Sequence, residues 1–354
     1  MPESETHIYD FIIVGQGIAG SMLVYFLLKQ NKKVLVIDKL NPNSSSNIAA
    51  GVVNPITGRK MVKSWMIDEF LPFAKSIYKT LEKELNVSFF YEQDIYKIFT
   101  SAEDIEIWNR KKCDPEYVNY LGDIIPDLGE NINTPFGTGI IKQSCWMDVP
   151  VFIKAYRSFL KEKDMLHDES FETDKLQITD KIHYKNFIAD KLIFCEGYKA
   201  FENPYFNFIE FSLAKGEQFT IYSPELRNNK MLNKNIFILP KKDNLYSVGS
   251  TFLWNDLEEK VTETGRNEIL NKLNRIINCT YEITEEKAGI RPAIVDRRPV
   301  LGSHPDFSNL FIFNGLGTKG VTLAPFFAKH LVNHMIYNDL ILDEVSLSRF
   351  NLKK

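Results

Sequence analysis

Two glycine-rich loops, near opposite ends of the 354-residue chain, carry its most informative chemistry. The first, GQGIAG, runs from Gly15 to Gly20, and the second, NGLGTKGVTLAP, runs from Asn314 to Pro325. Each loop follows a short apolar run typical of a buried strand and precedes an apolar stretch of helical length. The start of a helix offers unpaired N–H groups and the positive end of a dipole to an anion. Both loops are therefore candidates for contact with a charged ligand.

The first loop has the pattern of a dinucleotide-binding βαβ unit. An apolar run at 8–14 precedes it, a helical stretch at 21–30 follows, and a second apolar run at 33–37 ends in Asp38. In such a unit the first glycine permits the turn, the second admits the pyrophosphate and the third allows close packing of helix on strand. Asp38 is spaced to accept hydrogen bonds from the adenosine ribose, and its charge disfavours a 2′-phosphate. The unit alone leaves NAD and FAD open.

The second loop lacks the parts of another nucleotide unit. A buried strand at 310–313 leads through three glycines into a helix at 322–335, and too little chain follows for a further strand and acid. We therefore expect this helix N-terminus to meet the first ligand. In a flavin, reduction places negative charge at N1 and the C2 carbonyl, which a helix N-terminus and a cation stabilise. Lys319 is the candidate cation, and an ordinary surface lysine is the alternative.

The composition disfavours several classes of protein. Hydrophobic and charged contents of 44% and 25% are those of a globular protein, and the net charge of −3 gives no global reason for nucleic-acid binding. Four well-separated cysteines without a Cys-x-x-Cys pair predict neither zinc nor a dithiol centre. The polar start MPESETH and the absence of a run of about 18 apolar residues predict a cytoplasmic protein without a membrane span. A local basic patch stays open through the runs Arg59-Lys60, Arg110-Lys111-Lys112, Lys241-Lys242 and Arg297-Arg298.

The rest of the pattern predicts an interleaved α/β protein of two domains. After a helix at 146–161 with Asp148 as its N-cap, the run KLIFCEGY returns to a buried strand of the nucleotide sheet. Period-two alternation in FSLAKGEQFTIY, KNIFILPKKD and NLYSVGSTF predicts an antiparallel sheet. We expect a discontinuous Rossmann-type domain at 1–65, 142–203 and 286–354, and a mainly antiparallel α+β substrate domain at 66–141 and 204–285.

Five ordered motifs resemble the D-amino-acid-oxidase-like family of FAD-dependent oxidoreductases. They are GQGIAG with Asp38, IAAGVVNP, SVGSTF, AGIRPAIVDRRPVLG and GLGTKGVTLAP, and they run over nearly the whole chain. The last motif and the ending DEVSLSRF are more similar to the FAD oxidoreductase half of bacterial bifunctional tRNA wobble-uridine modification enzymes than to glycine or sarcosine oxidase.

The resemblance implies the roles of individual residues. The ADP portion of FAD would lie at the first loop and Asp38, and the ring along 50–52 with its pyrimidine edge at 317–320. Arg291 matches the arginine that clamps a substrate carboxylate, a role that suits its planar fork, while a structural pair with Asp296 or a backbone carbonyl is the alternative. The predicted catalytic residues are Arg291 and Lys319, and no metal ligand is predicted. The predicted cofactor-binding residues are Gly15, Gly17, Ile18, Ala19, Gly20, Asp38, Lys39, Ser46, Ala50, Gly51, Val52, Gly197, Gly289, Gly317, Thr318, Lys319 and Gly320.

Departures from the family pattern refine these expectations. Between Gly289 and Gly320 there is no cysteine of the kind that attaches flavin in sarcosine oxidase, and SSSNIAAG lacks the histidine of covalent dimethylglycine-type enzymes. Non-covalent FAD is therefore expected. Leu316 and Thr318 stand where glycine oxidase has a histidine and an arginine, which disfavours glycine itself as the substrate.

The leading hypothesis is an FAD-dependent enzyme that oxidises a C–N bond in an amine bearing a carboxylate, either an amino acid or a secondary amine. A hydride would pass to flavin N5 and the imine would hydrolyse. The alternative applies the same chemistry to carboxymethylaminomethyl uridine in tRNA, which requires a positive surface. A third reading is an NAD-dependent dehydrogenase or a redox-inactive binding protein. Tyr246 and Trp254 are candidates to line the substrate pocket.

Overall fold

The computed structural model describes residues 6–254 and 256–350. The first five residues, which belong to the polar start used to predict a cytoplasmic protein, lie outside these ranges. The strands are β1 (His7–Val14), β2 (Val34–Ile37), β3 (Val52–Val53), β4 (Ile56–Thr57), β5 (Val62–Lys63), β6 (Phe90–Glu92), β7 (Ile95–Ile98), β8 (Leu121–Ile125), β9 (Thr138–Ile141), β10 (Cys145–Met147), β11 (Leu166–His167), β12 (Leu176–Ile178), β13 (Ile182–Tyr184), β14 (Phe187–Phe194), β15 (Ala214–Tyr222), β16 (Met231–Asn233), β17 (Phe237–Pro240), β18 (Leu245–Gly249), β19 (Glu282–Arg291), β20 (Val300–Ser303) and β21 (Leu310–Asn314). The helices are α1 (Ile18–Lys29), α2 (Ser45–Ile48), α3 (Ile67–Leu85), α4 (Ala102–Lys112), α5 (Val149–Glu162), α6 (Glu263–Leu273) and α7 (Gly320–Tyr337).

The first sheet brings the carboxyl ends of its parallel strands to one edge. Strands β11, β2, β1, β14 and β21 pair in parallel in that order. Strands β13 and β12 continue antiparallel from the start of β14, and β20 pairs antiparallel with β21. Strands β2 and β21 are buried along their whole length, as expected where helices cover both faces. Ligands of such sheets bind at the carboxyl edge, where the chain leaves β1, β2 and β21.

The second sheet is mainly antiparallel. Its strand order is β19, β15, β18, β17, β16, β7, β9 and β8, and β16 with β7 is its parallel pair. Its strands come from 95–141 and 214–291, between the segments that build the first sheet. The predicted mixed α/β class is confirmed, while the domain boundaries stay a prediction.

Three of the helices pack on one another beside the first sheet. Helix α1 packs on α7, and α7 also packs on α3. Helix α5 begins as predicted, since the Asp148 side chain accepts a hydrogen bond from Val151 N at 3.3 Å. Helix α1 starts earlier than predicted, because Gly17 already occupies its N-cap position. No helix in the described part of the chain is long and apolar enough to cross a membrane.

Candidate functional site

The two glycine-rich loops line one cavity of about 530 Å³ between the two sheets. Helices α1 and α7 begin side by side, since a Cβ on Gly320 would lie 3.2 Å from Ile18 Cγ2. The cavity therefore meets two helix N-termini at once. Of the predicted residues, its wall contains Gly15, Gly17, Ile18, Ala19, Asp38, Lys39, Ser46, Ala50, Gly51, Val52, Gly197, Gly289, Arg291, Gly317, Thr318 and Gly320.

The first loop is tightly packed against the end of β14. Gly15 has a φ of 103°, and a Cβ there would lie 2.5 Å from Cys195 O. A Cβ on Gly20 would lie 2.0 Å from Gly15 O, so any larger residue would push α1 away from β1. Gly20 stands behind the cavity wall and shapes the loop through this contact.

Asp38 is held by partners that the sequence analysis missed. Its Oδ1 accepts from Gln16 N at 2.9 Å, and its Oδ2 accepts from Arg157 Nη1 at 2.6 Å. Arg157, with 8% of its side chain exposed, also donates from Nη2 to Asp168 Oδ1 at 2.8 Å. A carboxylate has about four lone-pair sites, so Asp38 keeps acceptor capacity for a ligand hydroxyl. The available signal was that Arg157 falls four residues after Ile153, on the apolar face of α5.

The segment between β2 and β3 runs along the cavity with its backbone exposed to it. Ser46 Oγ accepts from Ile18 N at 3.1 Å and so joins α2 to the start of α1. Gly51 has a φ of 69°, and a Cβ there would lie 1.9 Å from Met147 O on β10. Only glycine allows this approach, which brings the backbone of 49–52 flat against the cavity.

The second loop is fastened to both of its neighbours. Asn314 Nδ2 donates to Gly197 O at 2.9 Å, and Asn314 Oδ1 accepts from Gly315 N at 2.8 Å. Gly317, at a φ of 52°, donates from its N–H to Pro292 O at 3.1 Å. The loop is thereby fixed between the end of β14 and the chain that follows β19.

Lys319 lies outside the wall of this cavity. It lines a second, smaller cavity of about 180 Å³, which adjoins the first through shared wall residues. Burial, together with the charges of Arg298 and Arg297, lowers the pKa of Lys319. Lys319 thus lies beside two arginines, and its contact with a flavin ring stays a prediction.

Arg291 ends β19 and lines the large cavity. Its Nη1 donates to Lys215 O at 3.2 Å, and its Nη2 donates to Ser250 Oγ at 2.7 Å and Thr251 O at 3.1 Å. Its guanidinium carbon lies 4.1 Å from the ring centroid of Phe252. Burial lowers the pKa of Arg291 to about 10, so the group stays charged at neutral pH.

The structural alternative for Arg291 was a pair with Asp296 or with a backbone carbonyl, and only the carbonyl contacts are observed. Two of its three partners are backbone carbonyls, as that alternative supposed. Asp296 instead accepts from Arg349, with 2.7 Å between Oδ2 and Nε. Among the described residues no carboxylate pairs with Arg291, so its partly buried charge has no counter-ion there.

A buried ion pair behind the cavity wall holds the loop that positions Arg291. Lys215 and Glu217 have fully buried side chains, with 3.4 Å between Nζ and Oε1. Lys215 Nζ also bonds to the carboxylate of Asp256 and donates to Lys260 O at 3.0 Å. These contacts fasten the chain that carries Ser250 and Thr251 beside Arg291.

The predicted pocket aromatics are not in the wall. Tyr246 is buried in the core on the other face of the second sheet, and its hydroxyl accepts from Asn228 N at 3.2 Å. Trp254 is half exposed and lies beside Phe252. Phe252 is the aromatic residue that lines the cavity near Arg291, two positions before the one predicted.

Glu196 is an acid of the cavity wall that the sequence analysis missed. It follows β14, and its Oε2 accepts from Asn203 Nδ2 at 2.7 Å. Burial raises the pKa of Glu196 to about 7. The position directly after a buried strand of the nucleotide sheet was the available signal. No cluster of His, Cys, Asp and Glu able to hold a metal occurs among the described residues.

The family model for DAO, described as FAD dependent oxidoreductase, matches residues 10–334. The chain belongs to the DAO family. Its cofactor is FAD, and the expected family is confirmed.

Proteins similar to this chain include both groups that its motifs resemble, glycine oxidases and tRNA wobble-uridine modification enzymes. Glycine oxidase of Bacillus subtilis (strain 168) is 22% identical over 341 residues, covering 90% of each chain. The tRNA 5-methylaminomethyl-2-thiouridine biosynthesis bifunctional protein MnmC of Actinobacillus pleuropneumoniae serotype 3 (strain JL03) is 23% identical over 395 residues, covering 97% of this chain and 57% of that protein. The crystal structure of glycine oxidase from Geobacillus kaustophilus superposes with a TM-score of 0.82 and 19% identity, covering 99% of each chain.

The cavity fits FAD at both of its ends. The first loop and Asp38 offer backbone N–H groups and a carboxylate, which suit a pyrophosphate and a ribose. The flat backbone of 49–52 and the N-terminus of α7 suit a planar ring that gains negative charge. A side chain at Gly51 or Gly15 would need room that the neighbouring backbone already fills.

Replacing Gly51 tests whether this close approach shapes the FAD site. Gly51→Ala should unfold at lower temperature and bind FAD about ten-fold more weakly, because its Cβ would meet Met147 O. Gly58→Ala is the matched control, since Gly58 has a φ of 74° with no atom within 4 Å of its Cβ. The control carries only the left-handed strain of about 1 kcal/mol. Equal effects of the two variants on melting temperature and FAD titration would contradict the contact.

The raised pKa of Glu196 predicts a pH-dependent stability. The folded chain holds a proton on Glu196 up to about pH 7 that the unfolded chain releases near its ordinary value of 4.5, so stability falls as pH rises through this window. Glu196→Gln should gain about 3 kcal/mol over the parent at pH 8, and the gain should vanish near pH 4.5. Unfolding in urea at both pH values measures it. Glu202→Gln, at an exposed site, should show no such gain, and a pH-independent difference for Glu196→Gln would refute the assignment.

Proposed function

We propose that this protein oxidises a C–N bond of an amine that carries a carboxylate. The observation that supports this proposal is Arg291, a partly buried guanidinium in the wall of the FAD cavity without a carboxylate partner among the described residues. A buried charge without a counter-ion is unfavourable, and an anionic ligand relieves that cost. A substrate carboxylate is the anion that the planar guanidinium binds best.

The donors that remain on Arg291 suit this role. Its protein partners take one N–H of Nη1 and both of Nη2, which leaves Nε–H and the other Nη1–H without an acceptor in the described chain. Because Ser250 Oγ and two carbonyls fix the guanidinium, its direction is set before a substrate arrives. An arginine held in this way positions the carboxylate and thereby the carbon next to it.

Among the described wall residues of the second sheet, no side chain is a typical acid or base for the amine. When bound, FAD supplies the acceptor for the substrate's hydride. The residues of the second sheet and of the loop after β18 that line the cavity include Gln218, Phe237 and Phe252, and none in the described part is an acid, a histidine or a lysine. The protein therefore orients a neutral amine, which loses its hydride and becomes an imine. Water then hydrolyses the imine to a carbonyl and a smaller amine. In this proposal FAD is bound without a covalent link to the chain.

The second candidate function applies this oxidation to carboxymethylaminomethyl uridine in tRNA. Similarity to the MnmC protein along 97% of this chain supports it, as do Arg297 and Arg298, which form no ion pair with an acid in the described part of the chain. Other basic pairs speak against a continuous positive surface, because they carry acidic partners. These ion pairs are Arg59–Glu103, Lys112–Asp123 and Lys241–Asp148.

Anaerobic bleaching of the bound flavin distinguishes the two candidates. The protein is mixed with glycine, sarcosine, D-amino acids and proline, and in parallel with tRNA that carries carboxymethylaminomethyl uridine. Loss of the flavin's visible absorption with one of these small amino acids supports the leading proposal. Bleaching by the tRNA alone would replace it with the second candidate, and bleaching by neither would refute both.

Removal of the Arg291 guanidinium tests its role in substrate binding. Arg291→Met should lower kcat/KM for a carboxylate-bearing amine about 100-fold, since a charge-assisted pair worth about 3 kcal/mol is lost. FAD content should stay at the parental level. The matched control, Arg266→Met, removes an exposed arginine that pairs with Glu286 and should leave kcat/KM unchanged. An equal kcat/KM in Arg291→Met and the parent would remove Arg291 from the proposal.

A further inference from the structure

The second cavity is enclosed by the chain after β3, the start of α7 and the loop between β19 and β20. Its wall holds the polar residues Asn54, Thr57 and Ser64 and the aromatic residue Trp65. At about 180 Å³ it is smaller than the roughly 300 Å³ of a drug-sized pocket. The cavity therefore suits a small group and not a whole nucleoside.

Three cations converge on this wall. Arg297, Arg298 and Lys319 all line the cavity, and the lowered pKa of Lys319 reflects both arginine charges as well as burial. The guanidinium carbon of Arg298 lies 4.0 Å from the ring centroid of Trp65, which holds this side chain in place. The charges are thus close enough to repel one another.

Protein carboxylates do not neutralise this cluster. In the described ranges none of the three cations forms an ion pair with an acid, although the chain holds many other such pairs. Asp296, the acid next to Arg297, binds Arg349 with 2.7 Å between Oδ2 and Nε. Three converging cations without a counter-ion favour an anion supplied from outside the chain.

The second cavity adjoins the FAD cavity directly. Val52, Asn54, Thr318 and Val321 line both. Val52 belongs to the backbone stretch that is proposed to lie along the flavin ring. A molecule whose amine reaches the ring can therefore place another part of itself against the cations.

We propose that the second cavity binds an anionic group, a phosphate or a carboxylate, that the substrate carries in addition to the carboxylate at Arg291. This inference rests on the proposed function, because it assigns two anionic groups to the same amine substrate. Arg291 and the cation cluster then hold the substrate at two points on either side of the bond that is oxidised. A single small amino acid such as glycine uses only the first point.

Inorganic phosphate is the probe for the site. Isothermal titration of FAD-loaded protein, in which the cofactor's own phosphates already occupy the first loop, should show phosphate binding. Lys319→Met and Arg297→Gln should each weaken that binding about ten-fold. Arg297 is exposed, so its replacement tests the site without disturbing the core. Arg266→Met removes an exposed arginine that already pairs with Glu286, so it is the control and should keep the parental affinity for phosphate.

The outcomes separate this inference from the proposed function. Phosphate binding that is lost in Lys319→Met and Arg297→Gln supports the anion site, whatever the flavin-bleaching experiment shows. Phosphate binding that is absent, or equal in all variants, overturns the inference and leaves the amine oxidation standing. With a substrate that bleaches the flavin, phosphate should inhibit competitively. Purely non-competitive inhibition would overturn the assignment of the anion to the substrate.

Discussion

The close approach of backbone to backbone at the carboxyl edge of the first sheet is the constraint on which the site depends. Gly20 lets α1 lie against the turn at Gly15, and Gly51 lets the following segment lie against Met147. With these contacts made, α1 and α7 begin next to each other although they are far apart in sequence. Two positive helix ends can then serve the two ends of one FAD molecule.

Uncompensated positive charge is the second organising feature. Arg291 lies in the large cavity and the cluster of Arg297, Arg298 and Lys319 in the small one, and no described carboxylate pairs with them. Acidic residues are plentiful elsewhere on the chain, and many of them form ion pairs with lysine or arginine. Ligand anions would compensate these charges, which connects the geometry to the proposed chemistry.

Local pattern was sufficient to predict the βαβ unit, the antiparallel alternation and the glycine-rich edge. Each of these rests on residues near one another in sequence, such as Gly15 to Asp38. Contacts made only by tertiary packing escaped prediction. Arg157 reaches Asp38 from α5, Glu196 is buried after β14, and Lys319 lies in a different cavity from the one expected. Side-chain direction at a loop depends on neighbours that sequence spacing does not specify.

We propose that one FAD molecule spans both glycine-rich loops, and a crystal structure of the FAD-loaded protein is the experiment that tests this arrangement. Electron density for the adenosine ribose is expected within hydrogen-bonding distance of Asp38. Density for the ring is expected along Ala50 to Val52, with its pyrimidine edge at the N-terminus of α7. A ring that lies away from Gly317 to Gly320, with only the first loop in contact with the cofactor, would contradict this arrangement.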